Sequence, residues 1–288
     1  MPLKLSTRAK LTIATVLNRL VLGSRSLFGK PAVGEFVRNG LTYRLDLHEG
    51  IDFAVYLFGI YEKELTTAFA RLLKPGDVVI DAGANVGIHT LKLAQLVSPG
   101  GKVLAFEPTL YAFEKLSENL RLNPGLAGTV EPHRAFLLSS ATVETPDQIY
   151  SSWPLSSVGE SHPSHGGSLK STTGAASIHL DSFLSPELAA RVKLIKLDVD
   201  GFELEVLRGA DKLITENQPL IIVELCQEVA DEHGHSVADI LAFLIDRGYE
   251  FATLQQSPLG QDVSKIIAGI PANGGINVLA SPRLPRNS

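Results

Sequence analysis

From about residue 61 onward, the hydrophobic positions switch between two rhythms. Tyr61 to Leu73 places Leu65, Phe69, Leu72 and Leu73 at helical spacing, and Pro75-Gly76 stops the pattern. Val78-Val79-Ile80 is a short β-branched run of the kind a buried parallel strand uses. Leu91, Leu93, Ala94 and Val97 then predict a helix that Pro99-Gly100-Gly101 closes. The alternation repeats with a strand over Val103 to Phe106, a helix marked by Leu110, Phe113, Leu116 and Leu120, and a third strand near Thr129 to Pro132. A fourth strand, Val192 to Val199, precedes a helix over Glu203 to Ile214. A fifth, Leu220 to Val223, precedes a helix over Ser236 to Asp246. Tyr249 to Leu254 and Gly275 to Ala280 read as two late strands with no helical pattern between them.

This order implies an α/β fold, a mostly parallel sheet with helices on both faces. Two consecutive strands without a crossover helix imply a C-terminal antiparallel hairpin at one edge. The expected organisation is an N-terminal helical or extended segment, residues 1–60, packed on a core domain over 61–284. A stretch at about 145–178 interrupts that domain. Between Tyr150 and Ile178 it holds nine serines, several glycines and the run Ser161-His162-Pro163-Ser164-His165, too long and polar for an ordinary connection. It is either a surface loop or a substrate lid. Trp153, His162 and His165 are its candidate acceptor contacts, through stacking and hydrogen bonds.

Composition narrows the class. The chain is 44% hydrophobic and 20% charged over 288 residues, enough for one sizeable core. A net charge of −5 argues against a nucleic-acid binder that relies on a basic surface. The single cysteine, Cys226, cannot form an internal disulfide, which fits a reducing, cytoplasmic setting. No apolar run is long enough to span a bilayer. Leu11 to Leu22 is apolar and follows Lys4, Arg8 and Lys10, but Asn18 and Arg19 interrupt it, so it reads as an amphipathic helix and not a signal peptide. Such a helix could pack on the domain, on a second subunit to form a homo-oligomer, or on a membrane surface.

The sharpest motif is Asp81-Ala82-Gly83-Ala84-Asn85-Val86-Gly87, between a predicted strand and a predicted helix. Ligands of open α/β sheets bind at the carboxyl ends of the strands, and a glycine turn lets backbone approach them. The spacing is not the G-x-G-x-x-G of dinucleotide folds. Asp81 would repel a pyrophosphate but could attract an ammonium group. Gly83, Asn85 and Gly87 complete this candidate cofactor turn, and a side chain at Gly83 is expected to harm ligand binding more than folding. Glu107 stands just past the second strand, 26 positions after Asp81, where an acid can accept both hydroxyls of an adenosine ribose. At the end of the fourth strand, alternation gives Lys196, Asp198 and Asp200 one orientation. Asp198 is the candidate catalytic base. Asp200 and Glu203 are candidates to contact substrate or hold the turn. His133, His162, His165 and His179 are rival bases, and Asp198, Asp200 and Glu224 are an alternative Mg²⁺ set. The site residues proper include no metal ligand.

These stretches resemble the FkbM-type methyltransferases, a branch of the class I methyltransferase superfamily. The matching pieces are Gly59-Ile60-Tyr61-Glu62, Pro75 to Gly87, Phe106-Glu107-Pro108, Leu180-Asp181-Ser182-Phe183, Ile195 to Ala210, and Pro219 to Glu224, in the family's order. The resemblance implies a Rossmann-like fold with a seven-stranded sheet, S-adenosylmethionine as methyl donor, and Glu62 among the cofactor contacts. It implies O-methylation of a hydroxyl on a sugar or other small polar metabolite, while the net charge is the reason to expect no nucleic acid partner. Asp200 departs from the pattern, which more commonly has Glu there. The rival functions are an NAD-dependent oxidoreductase and a non-catalytic binding protein that retains the fold.

Overall fold

The structure is a computed structural model, and it describes residues 7–140, 142–151, 155, 167–272 and 274–282. An N-terminal helix, α1 (Thr7–Leu27), leads into an antiparallel pair, β1 (Val33–Arg38) and β2 (Leu41–Asp46), and then into α2 (Gly50–Phe58) and α3 (Lys63–Leu72). The Rossmann-like alternation follows as β3 (Val78–Ala82), α4 (Ile88–Val97), β4 (Lys102–Phe106), α5 (Leu110–Arg121) and β5 (Val130–His133). Four short strands come next: β6 (Ala135–Leu137), β7 (Gln148–Ser151), β8 (Ser168–Ser171) and β9 (Ala176–Ile178). β10 (Val192–Leu197) and β11 (Leu220–Leu225) return to the main sheet, which β12 (Tyr249–Thr253), β13 (Pro258–Gly260) and β14 (Ile276–Pro282) complete.

The main sheet has the order β13-β12-β14-β11-β10-β3-β4-β5. β5, β4, β3, β10 and β11 are parallel, while β14 runs antiparallel to both β11 and β12. The chain winds outward from β3 to β5 and then crosses back to β10. That reversal puts a crevice at the carboxyl ends of β3 and β10, the place where such sheets bind ligands.

Two details depart from the sequence reading. The sheet has eight strands rather than seven, because the short edge strand Pro258–Gly260 pairs with β12. The late strands do not form a simple hairpin: a helix, Val263–Ala268, lies between them, and β14 inserts between β11 and β12. Ile266 of that helix is fully buried, but six residues are too few to show a helical period. The polar stretch at about 145–178 is also more ordered than a bare loop. β7 and β8 pair antiparallel, and β9 pairs with β6. Trp153, His162 and His165 lie outside the described residues.

Alternation along the strands divides the core. Val78, Ile80, Ala82, Leu104, Ile195 and Leu197 pack on one face of the sheet. Val79, Val103, Ala105, Leu194 and Ile222 face the other. On that second face the N-terminal residues Leu41, Tyr43, Leu45, Leu47, Phe53 and Val55 are buried with Phe69, Leu91 and Leu93. The exposed edge of β2 is covered from α5. The Asn119 amide oxygen accepts from Arg44 N at 2.7 Å, and Asn123 bonds both the N–H and the C=O of Thr42.

Candidate active site

The turn after β3 is built by a close approach of two backbones. Gly83 has φ 77°, and the N–H groups of Gly83 and Ala84 donate to the Phe106 carbonyl at 3.0 and 2.9 Å. A Cβ at Gly83 would lie 1.6 Å from the Asp198 carbonyl oxygen. The glycine therefore seats the β3 turn against the end of β10, which reverses the expectation that a side chain there would harm the ligand more than the fold. Gly87 plays a similar part: its Cβ would stand 2.5 Å from Leu116 Cδ1, so it packs α4 against α5 and does not line the cavity. Gly83→Ala should cost about 3 kcal/mol of stability, the upper end for overpacking with a strained backbone. Urea unfolding checks this; a fully stable variant that has lost ligand affinity would restore the ligand-space reading.

Lys196 holds the site together. It is buried, and β10 pairs it directly opposite Asp81 of β3. Its ammonium lies 3.4 Å from Asp81 Oδ1 and 3.3 Å from Asp198 Oδ2, and it donates to the Gly83 carbonyl at 3.0 Å. Burial by itself would lower its pKa, but the Asp198 and Asp81 carboxylates outweigh that and raise it. Asp81 is fully buried; its other oxygen accepts from the Thr90 hydroxyl at 2.7 Å, and it does not line the cavity. The acid that the motif places at the strand end thus anchors the turn through Lys196.

Glu107 is buried at the end of β4 and lines the cavity. Its Oε2 accepts from Asn85 N at 3.0 Å, and its Oε1 accepts from the N–H and hydroxyl of Thr109 at 2.9 and 2.6 Å. Burial raises its pKa, and these hydrogen bonds partly counter the rise. Asn85 also lines the cavity, at φ 48°, with its side-chain oxygen on Val86 N at 2.8 Å. Glu62 (φ 46°) and Asp200 (φ 49°) share this left-handed conformation and line the same cavity. Non-glycine residues in that region are uncommon and cluster at functional sites.

The cavity opens at the crevice between β3 and β10 and encloses about 1160 Å³, open solvent at its mouth included. Asp198 and Glu224 meet on one wall and share a hydrogen bond. Burial disfavours charge on both. The Lys196 ammonium nonetheless pulls Asp198 below the usual carboxylate range, whereas the charge of Asp198 and burial push Glu224 well above it. The two carboxyls titrate as a coupled pair, with negative charge favoured on Asp198 by Lys196. On another wall the His89 ring nitrogen lies 3.0 Å from Glu62 Oε2, and the ring packs against Tyr61 and Phe69. Tyr61 lines the cavity, as do Phe136, Phe202, Tyr150 and Ser151.

The remaining candidates fall elsewhere. β10 stops at Leu197 and Asp200 is left-handed, so Lys196, Asp198 and Asp200 do not simply alternate along one strand face. Glu203 does not line the cavity; its Oε1 accepts from Val199 N at 3.1 Å and Gly201 N at 3.3 Å, which holds the turn after β10. Burial raises its pKa to about 7. His133 stacks on Phe106 at 4.9 Å and pairs with Glu131, and neither it nor His179 lines the cavity. Among the described residues, no three His, Cys, Asp or Glu side chains are grouped to hold a metal ion. Tyr61 and His89 were not among the sequence-derived site residues; Lys196 was read only as sharing a strand face with Asp198, and Glu224 only as an alternative metal ligand. Glu224 stands at the end of the predicted strand Leu220 to Val223, as Glu107 stands past its own, and β11 runs on to Leu225.

Known proteins similar to this chain include methyltransferases. The hexuronic acid methyltransferase AglP of Haloferax volcanii is 33% identical over 164 residues, 57% of this chain and 62% of AglP. The match thus spans less than two thirds of that relative. The 31-O-demethyl-FK506 methyltransferase FkbM of Streptomyces tacrolimicus is 28% identical over 225 residues, 68% of this chain and 82% of that protein. A crystal structure of methyltransferase FkbM from Methylobacillus flagellatus aligns with 80% of this chain and 54% of its own, at 15% identity and a TM-score of 0.43. The Methyltransferase FkbM domain matches residues 81–251, more than half of the chain, so the chain belongs to the FkbM methyltransferase family, whose methyl donor is S-adenosylmethionine.

Proposed function

We propose that the chain transfers the methyl group of S-adenosylmethionine to a hydroxyl oxygen of a sugar or another small polar metabolite. The observation that carries this reading is the pairing, in one cavity, of a buried carboxylate beyond β4 with a carboxylate beyond β10, Asp198, that lies 3.3 Å from the Lys196 ammonium. Glu107 Oε2 holds a single hydrogen bond and can still accept from a ribose hydroxyl. Asn85 holds that carboxylate through its N–H, Gly83 contributes backbone at the turn, and Glu62 offers a carboxylate for the cofactor's ammonium group. Asp81 and Gly87 support these groups from behind. The carboxylates of Glu62 and Asp198 would repel the pyrophosphate of a dinucleotide, which disfavours the oxidoreductase reading.

The donor supplies an activated sulfonium methyl group. What this chain must add is alignment and a place for the acceptor's proton. Asp198 is the group for that proton, and Asp200 stands beside it at the cavity wall. Tyr150 and Ser151 line the cavity at the base of the polar segment, which supports a role in acceptor selection for residues 151–177, including Trp153, His162 and His165. A small hydroxylated acceptor is also what the name of the hexuronic acid relative suggests. The lone Cys226 fits a cytoplasmic setting. The test is transfer of a ¹³C-labelled methyl group to neutral sugars, uronic acids and hydroxylated metabolites, with the product read by NMR. An O–CH₃ signal is expected; a methyl on nitrogen or carbon would overturn O-methylation.

A further inference from the structure

Helix α1 has two apolar faces, and the fold uses only one. The inner face is anchored: the Asn18 amide donates to the Leu47 carbonyl, Val21 and Leu22 pack on the core, and Arg25 donates to the Pro31 carbonyl while lying 5.2 Å over the Phe36 ring. The outer face carries Ile13, Val16, Leu17 and Leu20, spaced i, i+3, i+4 and i+7, with Leu27 two turns on. At helical spacing these five side chains lie within an arc of about 100°. All are exposed, Val16 at 52% and Leu20 at 65%. Phe28, just past the helix, is exposed at 76%.

The charge of the segment is one-sided in sequence. Lys4, Arg8, Lys10, Arg19, Arg25 and Lys30 all precede the first acidic residue, Glu35, in a chain whose net charge is −5; of these, Arg25 is engaged on the inner face. We infer that the outer face of α1 docks in the plane of an anionic lipid surface, its leucines at the acyl boundary and its basic side chains on the headgroups. An apolar helix face with basic flanks is the pattern such docking requires. A second copy of the chain fits less well, because pairing two such segments would bring like charges together. No helix among the described residues is long and apolar enough to cross a membrane, so the contact is peripheral.

Vesicle co-sedimentation of the full chain tests this. Phosphatidylcholine vesicles containing phosphatidylglycerol should bind the protein, and phosphatidylcholine vesicles should not. Binding should weaken with salt. Leu17→Glu with Leu20→Glu should abolish it, and Lys10→Gln with Arg19→Gln should weaken it by about fivefold for each charge removed. Circular dichroism of the variants checks that they fold, and the salt titration of the unaltered chain needs no variant at all. Failure to bind the anionic vesicles, or equal binding to both kinds, would overturn the inference. So would light scattering that shows a dimer which the two leucine substitutions dissociate.

Discussion

Asp198→Asn is expected to slow methyl transfer by about 10²–10⁴-fold while leaving cofactor affinity within a few-fold. The substitution keeps the shape and removes a charge that the fold works to preserve. Charge is favoured on Asp198 because Lys196 stands 3.3 Å away, and Glu224 is the partner pushed towards its neutral form. In the proposed reaction Asp198 would hold the acceptor hydroxyl and take its proton, and a bound S-adenosylmethionine would supply the methyl group. Since the anion is the working form, transfer should also fall as Asp198 protonates in acid, and the asparagine variant should lack that acid limb. Steady-state rates across pH check both points. A variant within a few-fold of the unaltered rate would leave alignment as the whole mechanism.

Lys196→Met should destabilise the fold by about 3–5 kcal/mol, the cost of stranding buried charges by removing their partner. Methionine keeps most of the volume but leaves Asp81 and the Gly83 carbonyl without the ammonium that bridges them. Asp198 would lose the cation that keeps it ionised, so activity should fall even in the folded fraction. Adding Asp81→Asn should recover part of the lost stability, because the two residues face each other across β3 and β10. Urea unfolding of the single and double variants measures the coupling. A loss under about 1 kcal/mol, with no recovery in the double variant, would show that the site relaxes around the missing charge.

The parts of the fold legible in the sequence were those with local signals. The strand, glycine turn and helix from Val78 to Val97 announce themselves within twenty residues, and Glu107 follows from the next strand in the same way. Asp81 was read as a ligand because its partners are invisible locally. Thr90 is nine residues on, and Lys196 comes opposite only once β10 pairs with β3. Glu203 shows the same ambiguity at short range. An acid after a glycine turn can face a ligand or bind the turn's own N–H groups, and only the folded backbone decides. Tyr61, His89 and Glu224 reach the cavity from three separate segments, so no single motif marks their meeting. The N-terminal segment did carry a signal in Leu41, Tyr43, Leu45 and Leu47, which alternate in burial as strand residues should.

The account rests on S-adenosylmethionine occupying the cavity with its ribose on Glu107. Calorimetric titration with S-adenosylhomocysteine, on the unaltered chain and on Glu107→Ala, tests this most directly. The unaltered chain should bind one equivalent, and the variant should bind weaker by about 1–3 kcal/mol, the scale for losing hydrogen bonds to a charged group. Equal affinity in a folded variant would remove Glu107 from the site. Binding of a nicotinamide dinucleotide in place of S-adenosylhomocysteine would contradict the cofactor assignment itself.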